Sequence, residues 1–528
     1  MAETFTAEER ETLAPYVTNL DGPVFALVNL PEVVKGALFA RYSRSAKSLR
    51  RLFLDEFLEQ AGGGGAPPAI GTARADRLYE RVFSEYGDDS VAQLGGVHLA
   101  CEGASNILTK VLEWGRLMAY LEQSTRYVPY TDRPEGRWKY HVPSELDGHP
   151  LRAGYVQTLD DAFETYARWI EPMREHWAAR FPKPEGESET AYRATIRAKA
   201  LDSLRGLLPA ATRSNVGIFG TGQAYEALLL RMRGHGLSEV RDYAELILVE
   251  LRKVIPAFLS RLERPERGGA WSRYLAETRE HTAEAARQLL AGIEPERRHD
   301  VTLTEFDPDG EVKVVAAALY AVSDLPDDQL LAIARKLSSE ERRQVLEAYV
   351  GKRENRRHKP GRAFERTAYR FDVLGDYGAF RDLQRHRLLT LEWQPLSPRH
   401  GYVTPGELEE AGALPDFTRT MESSAALYDA LSQAGLAEIA PYAVAMAYRV
   451  RFYLELNARE AMHMIELRTA PQGHPAYRRI CQTMHRLIAE QAGHRALAAA
   501  MSYADFSDAE AGRLLSERAA ERRRSSER

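Results

Sequence analysis

The sequence contains a cationic triplet, Arg385-His386-Arg387, in a region whose pattern predicts a helix. On a helix the first and third of these side chains diverge by about 200°, so they cannot share one solvated stripe. Two guanidiniums and an imidazole near a helix end suit a phosphate or a pyrophosphate. For the triplet alone, however, an ordinary surface charge cluster is the favoured interpretation.

A second polar group lies on one predicted helix and comprises Asn457, Arg459, His463 and Arg468. The four-residue step between Arg459 and His463 puts both side chains on one face of that helix. The alternative is a helix that is merely stabilised by polar i,i+4 pairs. That alternative explains less well why Asn, Arg and His accompany the apolar residues between positions 462 and 467.

A third group is a run of five consecutive hydrogen-bonding residues: Glu122, Gln123, Ser124, Thr125 and Arg126. Such a run can offer a hydroxyl, an amide and a guanidinium to one nucleotide. Taken alone, it is better explained as a polar turn before Pro129. Arg205 could likewise clamp a phosphate, but by itself it is more simply a cation at a helix C-terminus.

Several other kinds of site are excluded. The residues Gly220-Thr221-Gly222 lack the third glycine of a dinucleotide loop and are better read as a helix start. The sequence has no HExxH motif, no nucleophile elbow and no Cys-x-x-Cys pair. Its two cysteines, Cys101 and Cys481, cannot build a disulfide framework or a cysteine-rich zinc site. We therefore expect no metal centre.

The composition bounds the class of protein. At roughly 100–200 residues per domain, 528 residues predict two or three domains, and 44% hydrophobic with 28% charged residues is typical of soluble globular proteins. The net charge of −5 gives no reason to expect binding to nucleic acid or to an acidic membrane. The N-terminus does not resemble a signal peptide, and the longest apolar run, residues 314–322, is too short to span a bilayer. We expect a cytoplasmic protein.

Most segments have apolar residues at three- and four-residue spacing, which predicts amphipathic helices and a predominantly helical α+β fold. The segments that show this most clearly are 77–83, 224–230, 329–350, 427–436 and 462–467. The stretch GGGGAPP at 62–68 is typical of a linker, and the charged tail at 515–528 is typical of a fraying helix end.

The sequence also repeats itself. The segments EGASN (102–106), EWGRLMAYLEQSTRYVPY (113–130) and LRGLLPAATRSN (204–215) are matched in order by LGDYGAF (374–380), QRHRLLTLEWQPLSPRHGY (384–402) and GLAEIAPYAV (435–444). Trp114 corresponds to Arg385 at an offset of 271 and Arg231 to Arg468 at 237, so the first half carries about 34 extra residues. We predict a tandem duplication with domains 1–290 and 291–528 and an insertion within about 131–190.

Taken together, these motifs resemble the flavin-dependent thymidylate synthases. The signature of that family is Arg-His-Arg, then seven residues, Ser and, two residues later, Arg. An upstream Tyr-Gly-His-x-Ser/Thr segment and a downstream Asn-x-Arg…Leu-Arg helix accompany it. The resemblance covers roughly 80–290 and 350–490 and implies two family-like domains that form a pseudo-dimer. It also implies FAD as cofactor, deoxyuridine monophosphate as substrate, and methylene-tetrahydrofolate and NADPH as co-substrates.

The resemblance assigns roles residue by residue. The implied flavin-binding residues are Ser90, Glu122, Arg385, His386, Arg387, Asn457, Arg459 and His463. The implied substrate-binding residues are Glu122, Gln123, Ser124, Thr125, Arg126, Arg205, Asp382, Arg385 and Arg468. Arg468 would also be catalytic, because it matches the arginine that activates the uracil ring.

Neither half carries the whole pattern, and the losses are complementary. The second half keeps the triplet, the flavin helix and Arg468, but its loop residues Ser397 and Arg399 come two positions late. It also has Pro441 where the family has the phosphate arginine. The first half lacks the triplet, yet its loop at 122–126 has the correct spacing. Because random decay would erode both sets in both halves, one composite site is the simpler account.

Neither cysteine lies in a candidate site segment, so methylation at C5 of the uracil would have to rely on a cofactor. Asp382 stands where the family has a glutamine, and a carboxylate there could either refuse the usual uracil pose or select a modified pyrimidine. The alternatives to an enzyme are a degenerate homologue that binds flavin or nucleotide without turnover, and a helical scaffold that binds RNA or protein. We expect a homodimer, which would be a pseudo-tetramer.

Overall fold

The computed structural model describes residues 4–42, 45–57, 93–183, 185 and 188–507. It divides into two compact units. The first contains the described residues up to Ala104 together with Val111–Glu122 and Asn215–Ile293. The second contains Ser105–Lys110, Gln123–Ser214 and the described residues from Glu294 onward. A large part of the first sequence repeat, residues 123–214, therefore belongs to the second unit.

Helices dominate both units. Those in the described residues are α1 (Ala7–Leu13), α2 (Glu32–Tyr42), α3 (Leu49–Leu52), α4 (Asn106–Leu112), α5 (Leu151–Arg180), α6 (Glu189–Leu204), α7 (Gly222–Arg233), α8 (Ser238–Arg252), α9 (Pro256–Leu259), α10 (Ala270–Leu289), α11 (Gly310–Tyr320), α12 (Asp327–Lys336), α13 (Ser339–Val350), α14 (Tyr377–Gln384), α15 (Glu407–Glu410), α16 (Leu414–Gln433), α17 (Ala458–Arg468), α18 (Pro475–Glu490) and α19 (Arg495–Ala500). The strands are β1 (Gly96–Ser105), β2 (Met118–Glu122), β3 (Arg213–Thr221), β4 (Val301–Phe306), β5 (Ala368–Asp376), β6 (Leu389–Trp393) and β7 (Arg449–Asn457). The fold is α+β, as expected.

The first unit contains a three-stranded sheet of order β1-β3-β2. Strand β3 pairs antiparallel with β2, from Met118 opposite Gly220 to Glu122 opposite Val216. Helix α7 begins directly after β3. The Thr221 side chain caps this helix by accepting from the Ala224 N–H. This confirms a helix start, rather than a dinucleotide loop, at residues 220–222.

The second unit contains a four-stranded antiparallel sheet of order β4-β5-β7-β6. Alternation along β7 buries its apolar side chains, such as Phe452 and Leu454, on one face. The other face carries cross-strand ion pairs, for example Arg451 with Asp372 at 2.9 Å. Because one face is apolar and the other charged, a one-residue slip would expose the core, so the register is fixed.

Two of the sequence predictions of helices need comment. The patterns at 224–230, 427–436 and 462–467 fall on α7, α16 and α17, although α16 ends at Gln433. The pattern at 329–350 forms two helices, because Ser338 caps α13 through a capping box with Glu341. The segments 62–68, 77–83 and 515–528 lie outside the described residues. No helix among the described residues is long and apolar enough to cross a membrane.

Repeat-equivalent segments of the two halves pair with each other inside the second unit. The Ala210 N–H donates to the Val444 carbonyl at 2.8 Å, and the Ala447 N–H donates to the Gly206 carbonyl at 3.0 Å. Further along, the Tyr377 hydroxyl donates to the Asn106 carbonyl at 3.0 Å, and these residues are 271 positions apart. That separation equals the repeat offset between Trp114 and Arg385 in the sequence.

We predict that this pairing depends on the absence of a side chain at Gly206. A Cβ built there would lie 2.9 Å from the Ala447 Cβ, so Gly206→Ala should destabilise the second unit by about 1–3 kcal/mol. Urea denaturation checks this, with Gly206→Ala/Ala447→Gly as the compensating pair that should recover most of the loss. Gly154→Ala is the matched control, because its Cβ meets nothing within 4 Å. Equal stability of Gly206→Ala and Gly154→Ala would contradict the prediction.

Candidate functional site

The cationic triplet lies at a helix end and not on a helix. Asp376 caps α14, and Arg385 is the C-cap residue, so the chain turns through His386 and Arg387 into β6. The helical prediction for the triplet was therefore wrong by one turn, because the strand that follows ends the helix first. The turn separates the side chains as expected: His386 is buried, whereas Arg387 is exposed.

The predicted polar helix is α17, which begins directly after β7. The Asn457 side chain caps it by accepting from the Glu460 N–H at 2.9 Å. Arg468 is the last residue of the helix, and its Nε donates to the His386 Nε2 at 3.0 Å. The sheet thus brings α17 beside the turn that carries the triplet, since β7 and β6 are hydrogen-bonded neighbours.

His386 bridges Arg468 to a buried carboxylate. Its Nδ1 lies 2.8 Å from Glu460 Oε1, and the Nδ1 of His463 lies 3.3 Å from the other oxygen of Glu460. Burial and the nearby Arg468 lower the pKa of His386 to about 4, even though Glu460 opposes that shift. Burial would raise the pKa of Glu460, but the hydrogen bonds from His386 and His463 lower it to about 2. The imidazole is therefore neutral and the carboxylate charged at neutral pH.

The same three side chains offer metal-ligand atoms within 4.8 Å of one another: His386, Glu460 and His463. Hydrogen bonding argues against a metal ion there. Because the His386 Nε2 accepts from Arg468, its single proton is on Nδ1 and is donated to Glu460. A metal on Nδ1 would need the imidazole to lose that last proton.

Arg126 and Arg205 belong to the first half of the sequence but lie in the second unit, where each has acidic residues nearby. Arg126 makes a bidentate ion pair with Asp202, at 2.7 Å for both contacts, and its Nη1 donates to the Tyr477 hydroxyl at 3.2 Å. Arg205, at the C-terminal cap of α6, is 5% exposed. Asp202 is on the same helix, and Arg126 holds its pKa at about 2 against the opposing effect of burial.

Asp382 joins the two sets of residues. Its carboxylate lies 3.7 Å from Arg205 Nη1 and 3.8 Å from Arg468 Nη1, and it also pairs with Arg385. Burial alone would raise the pKa of this acid, but Arg385, Arg468 and Arg205 hold it well below the usual range. Arg205 comes from the first half and Arg468 from the second, so residues from both halves meet around one ionised carboxylate.

A cavity of about 690 Å³ opens beside Arg126 and Arg205. Gly473 and His474, which precede α18, also line it, so the N-terminus of this 16-residue helix borders the cavity. Two buried guanidinium nitrogens at its wall, Arg205 Nη2 and Arg478 Nη1, have no hydrogen-bond partner. Unpartnered buried cationic donors beside a helix N-terminus are suited to an anionic ligand.

A separate group of cations surrounds the start of α17. Arg459 donates from Nε to the Pro360 carbonyl at 3.0 Å and lies 3.8 Å from Glu365. Burial lowers the pKa of the neighbouring Lys359, and the positive charges of Arg459 and Arg356 lower it further despite Glu460. Such crowding of like charges is relieved by a bound anion such as a pyrophosphate.

The other residues predicted to bind nucleotide or flavin are the loop residues 122–125 and Ser90. Ser124 Oγ accepts from the Arg126 N–H at 3.2 Å, and the Gln123 carbonyl accepts from the Ser214 hydroxyl at 3.4 Å, which is the geometry of a polar turn. Thr125 is buried. Glu122 ends β2 in the first unit, where it is also buried, and Ser90 lies outside the described residues.

In the first half, an aromatic side chain stands at the position that corresponds to Arg385. Trp114, at the position of Arg385, stacks against Arg231, at the position of Arg468, with the guanidinium carbon 5.2 Å from the ring centroid. Burial lowers the pKa of Arg231. In the second half, the corresponding loop residue Arg399 is exposed, in contrast to the half-buried Arg126.

Sequence reasoning missed several residues of the arrangement, of which Asp202, Glu460, Tyr477 and Arg478 are the most important. Glu460 follows Arg459 directly, and Asp202 stands three residues before Arg205. Each acid is close in sequence to a predicted site cation, but the residue with which it pairs is on a different segment of the chain.

The family comparison agrees with this duplicated arrangement. The model of the thymidylate synthase complementing protein family matches two segments, residues 38–257 and 302–493. The chain belongs to this family. Two matched segments in one chain are also consistent with the predicted tandem duplication.

The relatives divide into full-length and partial ones. A UPF0159 protein of Chlamydia muridarum is 40% identical over 97% of this chain and 98% of its own length. A UPF0159 protein of Thermoplasma acidophilum is 29% identical over 92% of this chain and 97% of its own. A flavin-dependent thymidylate synthase of Clostridium tetani is 25% identical over 33% of this chain and 66% of its own length. The family relationship therefore includes a weak similarity to flavin-dependent thymidylate synthase.

We predict that Asp382 takes the place of an anionic ligand's charge. Asp382→Asn should lower the melting temperature in chloride buffer, because three arginines lose a shared counterion. Inorganic phosphate should then raise the melting temperature of the variant more than that of the wild type. Asp372→Asn, which removes the same charge from the outer face of the sheet, is the control. If phosphate stabilises both variants and the wild type equally, the prediction is wrong.

Proposed function

We propose that this protein is a flavin-dependent thymidylate synthase that acts on deoxyuridine monophosphate or a closely related pyrimidine nucleotide. The observation that carries the proposal is that Arg205 of one half and Arg468 of the other both lie against Asp382, while Arg126 of the first half donates to Tyr477 of the second and its charge also acts on Asp382. The family membership and the similarity to a flavin-dependent thymidylate synthase support the same reaction.

In this proposal the chain's own residues bind and polarise the substrate. Arg126 and Arg205 hold the phosphate at the cavity, where the unpartnered Nη2 of Arg205 provides a donor. Arg468 stabilises negative charge that develops on the pyrimidine ring, which favours the transition state over the bound substrate. A cysteine nucleophile is disfavoured, because burial raises the pKa of Cys481 to about 12 and that of Cys101 to about 11.

The residues around the start of α17 fit a flavin nucleotide. Arg459 and Lys359, with the exposed Arg387 on the neighbouring turn, would hold its negatively charged phosphates. A bound flavin reduced by NADPH would supply a hydride, so that the methylene carbon, once transferred from the folate to C5 of the pyrimidine, would become a methyl group as the C5 proton and tetrahydrofolate leave. The chain must orient the nucleotide and keep Arg468 charged and in place.

A second candidate function is a degenerate homologue that binds flavin or nucleotide without turnover. It is favoured by the self-pairing of the cations, since Asp202 already occupies Arg126 and Asp382 lies among Arg205, Arg385 and Arg468. The two functions differ in one measurement. The purified protein with NADPH, methylene-tetrahydrofolate and C5-tritiated deoxyuridine monophosphate should release tritium to water if it is an enzyme. Bound flavin without tritium release would support the degenerate homologue.

We also propose that the chain forms a homodimer. The ionic network from both halves lies within one chain. The proposed site would therefore be complete in each chain, whether or not the chains assemble. Light scattering of dilute protein measures the state, and a stable monomer with full flavin occupancy would contradict the dimer while leaving the site intact.

The first prediction from the proposed function concerns the flavin. Arg387→Ala/Arg459→Ala should lose bound FAD, because each change removes a charge-assisted contact worth about 1.5–3 kcal/mol. The visible absorbance of the purified protein measures FAD occupancy, and circular dichroism checks the fold. Arg399→Ala removes an exposed cation from the same half and should keep its flavin. Unchanged occupancy in the double variant would argue against this flavin site.

The second prediction concerns the nucleotide. Arg126→Ala/Asp202→Asn removes the guanidinium without leaving a buried unpaired carboxylate, and should weaken deoxyuridine monophosphate binding about tenfold to a hundredfold. Calorimetry measures the affinity, and FAD occupancy should stay nearly constant. Arg399→Ala should have little effect, because the second half's loop is displaced. Equal losses from both variants would mean that both loops bind nucleotide.

A further inference from the structure

The middle residue of the triplet, His386, belongs by resemblance to the flavin-binding set. In the structure both of its ring nitrogens are used inside the chain, one by Arg468 and the other by Glu460. We propose that His386 and Glu460 are positioning residues that hold Arg468 in its working orientation. This inference rests on the proposed function, because it assigns Arg468 a role on the pyrimidine ring.

The hydrogen-bond chain runs in one direction. Arg468 Nε donates to His386 Nε2 at 3.0 Å, which fixes the proton on Nδ1, and Nδ1 then donates to Glu460 Oε1 across 2.8 Å. Glu460 is itself fixed from two sides, because its other oxygen accepts from His463 and its backbone N–H is held by Asn457. A hydrogen bond that Nε donates fixes the plane of a guanidinium. These linked hydrogen bonds therefore fix the plane of the Arg468 guanidinium.

Arg468 is constrained on its other sides as well. Its Nη1 lies 3.8 Å from Asp382 Oδ1, and its guanidinium carbon lies 5.6 Å from the centroid of the Tyr477 ring. The residue is at the C-terminal end of α17, where a long side chain would otherwise have several rotamers. Contacts at Nε, at one Nη and at the ring face leave the guanidinium little freedom.

The neutral imidazole has a chemical advantage over a direct carboxylate contact. Arg468 already lies 3.8 Å from the Asp382 carboxylate, and a second direct carboxylate contact, from Glu460, would further reduce the positive charge that the guanidinium can offer to a developing anion. His386 separates the two charges while it still transmits orientation. The charged and titratable groups that face the imidazole are Arg468, Glu460 and His463, and burial keeps the ring neutral at neutral pH.

The test compares variants of His386 in the flavin-loaded enzyme. His386→Phe removes both contacts and should lower kcat about a hundredfold, while FAD occupancy and the Kd of deoxyuridine monophosphate change less than about threefold. His386→Gln retains an acceptor for Arg468 and should recover part of the loss. Glu460→Gln keeps an acceptor for the Nδ1 proton and should lie between wild type and His386→Phe. His494→Phe, which removes another buried histidine whose ring contacts Tyr369 and Asp307 rather than Arg468, should leave kcat unchanged.

Two results would overturn the proposal. One is loss of FAD in His386→Phe to the extent seen in Arg387→Ala/Arg459→Ala, which would return His386 to the flavin set. The other is an unchanged kcat in His386→Phe. A second measurement covers variants that fail to fold: nitrogen NMR of the histidine-labelled wild type should show His386 neutral with its proton on Nδ1 at pH 6, and a proton on Nε2 would refute it. A wild type without flavin or turnover would instead reject the proposed function, and the NMR result would still report the tautomer.

Discussion

The candidate site depends on the pairing between the segments around Gly206 and Ala447. These segments occupy equivalent places in the two repeats, and their backbones exchange hydrogen bonds at 2.8–3.0 Å. The close approach is possible because position 206 has no Cβ. Arg205 immediately precedes this contact and is buried beside Asp382 as a direct result. Without the pairing, the residues of the two halves would have no reason to share one network.

Burying several arginines together imposes a second constraint, because uncompensated guanidiniums inside a protein are strongly destabilising. Asp202 and Asp382 meet this constraint at the two ends of the network, one for Arg126 and the other for Arg205, together with Arg385 and Arg468. Asp382 thereby offsets part of the positive charge of Arg205, Arg385 and Arg468. Four arginines share these two carboxylates, so the network keeps an excess of positive charge, which an anionic ligand would offset.

The sequence alone was sufficient for the helix content, the duplication and the segments that carry the site, since these follow from spacing and motif order. Arg205 and Arg468 lie beside Asp382, and the positive charge of Arg126 also acts on this carboxylate. The acidic partners could not be predicted, because Glu460 contacts His386 across 74 positions and only sheet pairing brings them together. The burial of the His386 side chain could not be predicted from the sequence either, because it depends on α14 ending at Gln384 rather than continuing through the triplet.

The same reasoning explains why a duplicated chain would lose one site and keep the other. In the first half, Trp114 takes the position of the first triplet arginine and stacks on Arg231, so a cation that would have faced a ligand is now held by an aromatic ring. If the proposed site takes residues from both halves, a change in either half would damage it. Selection on one such shared site would preserve different motifs in each repeat, which is the pattern that the sequence displays.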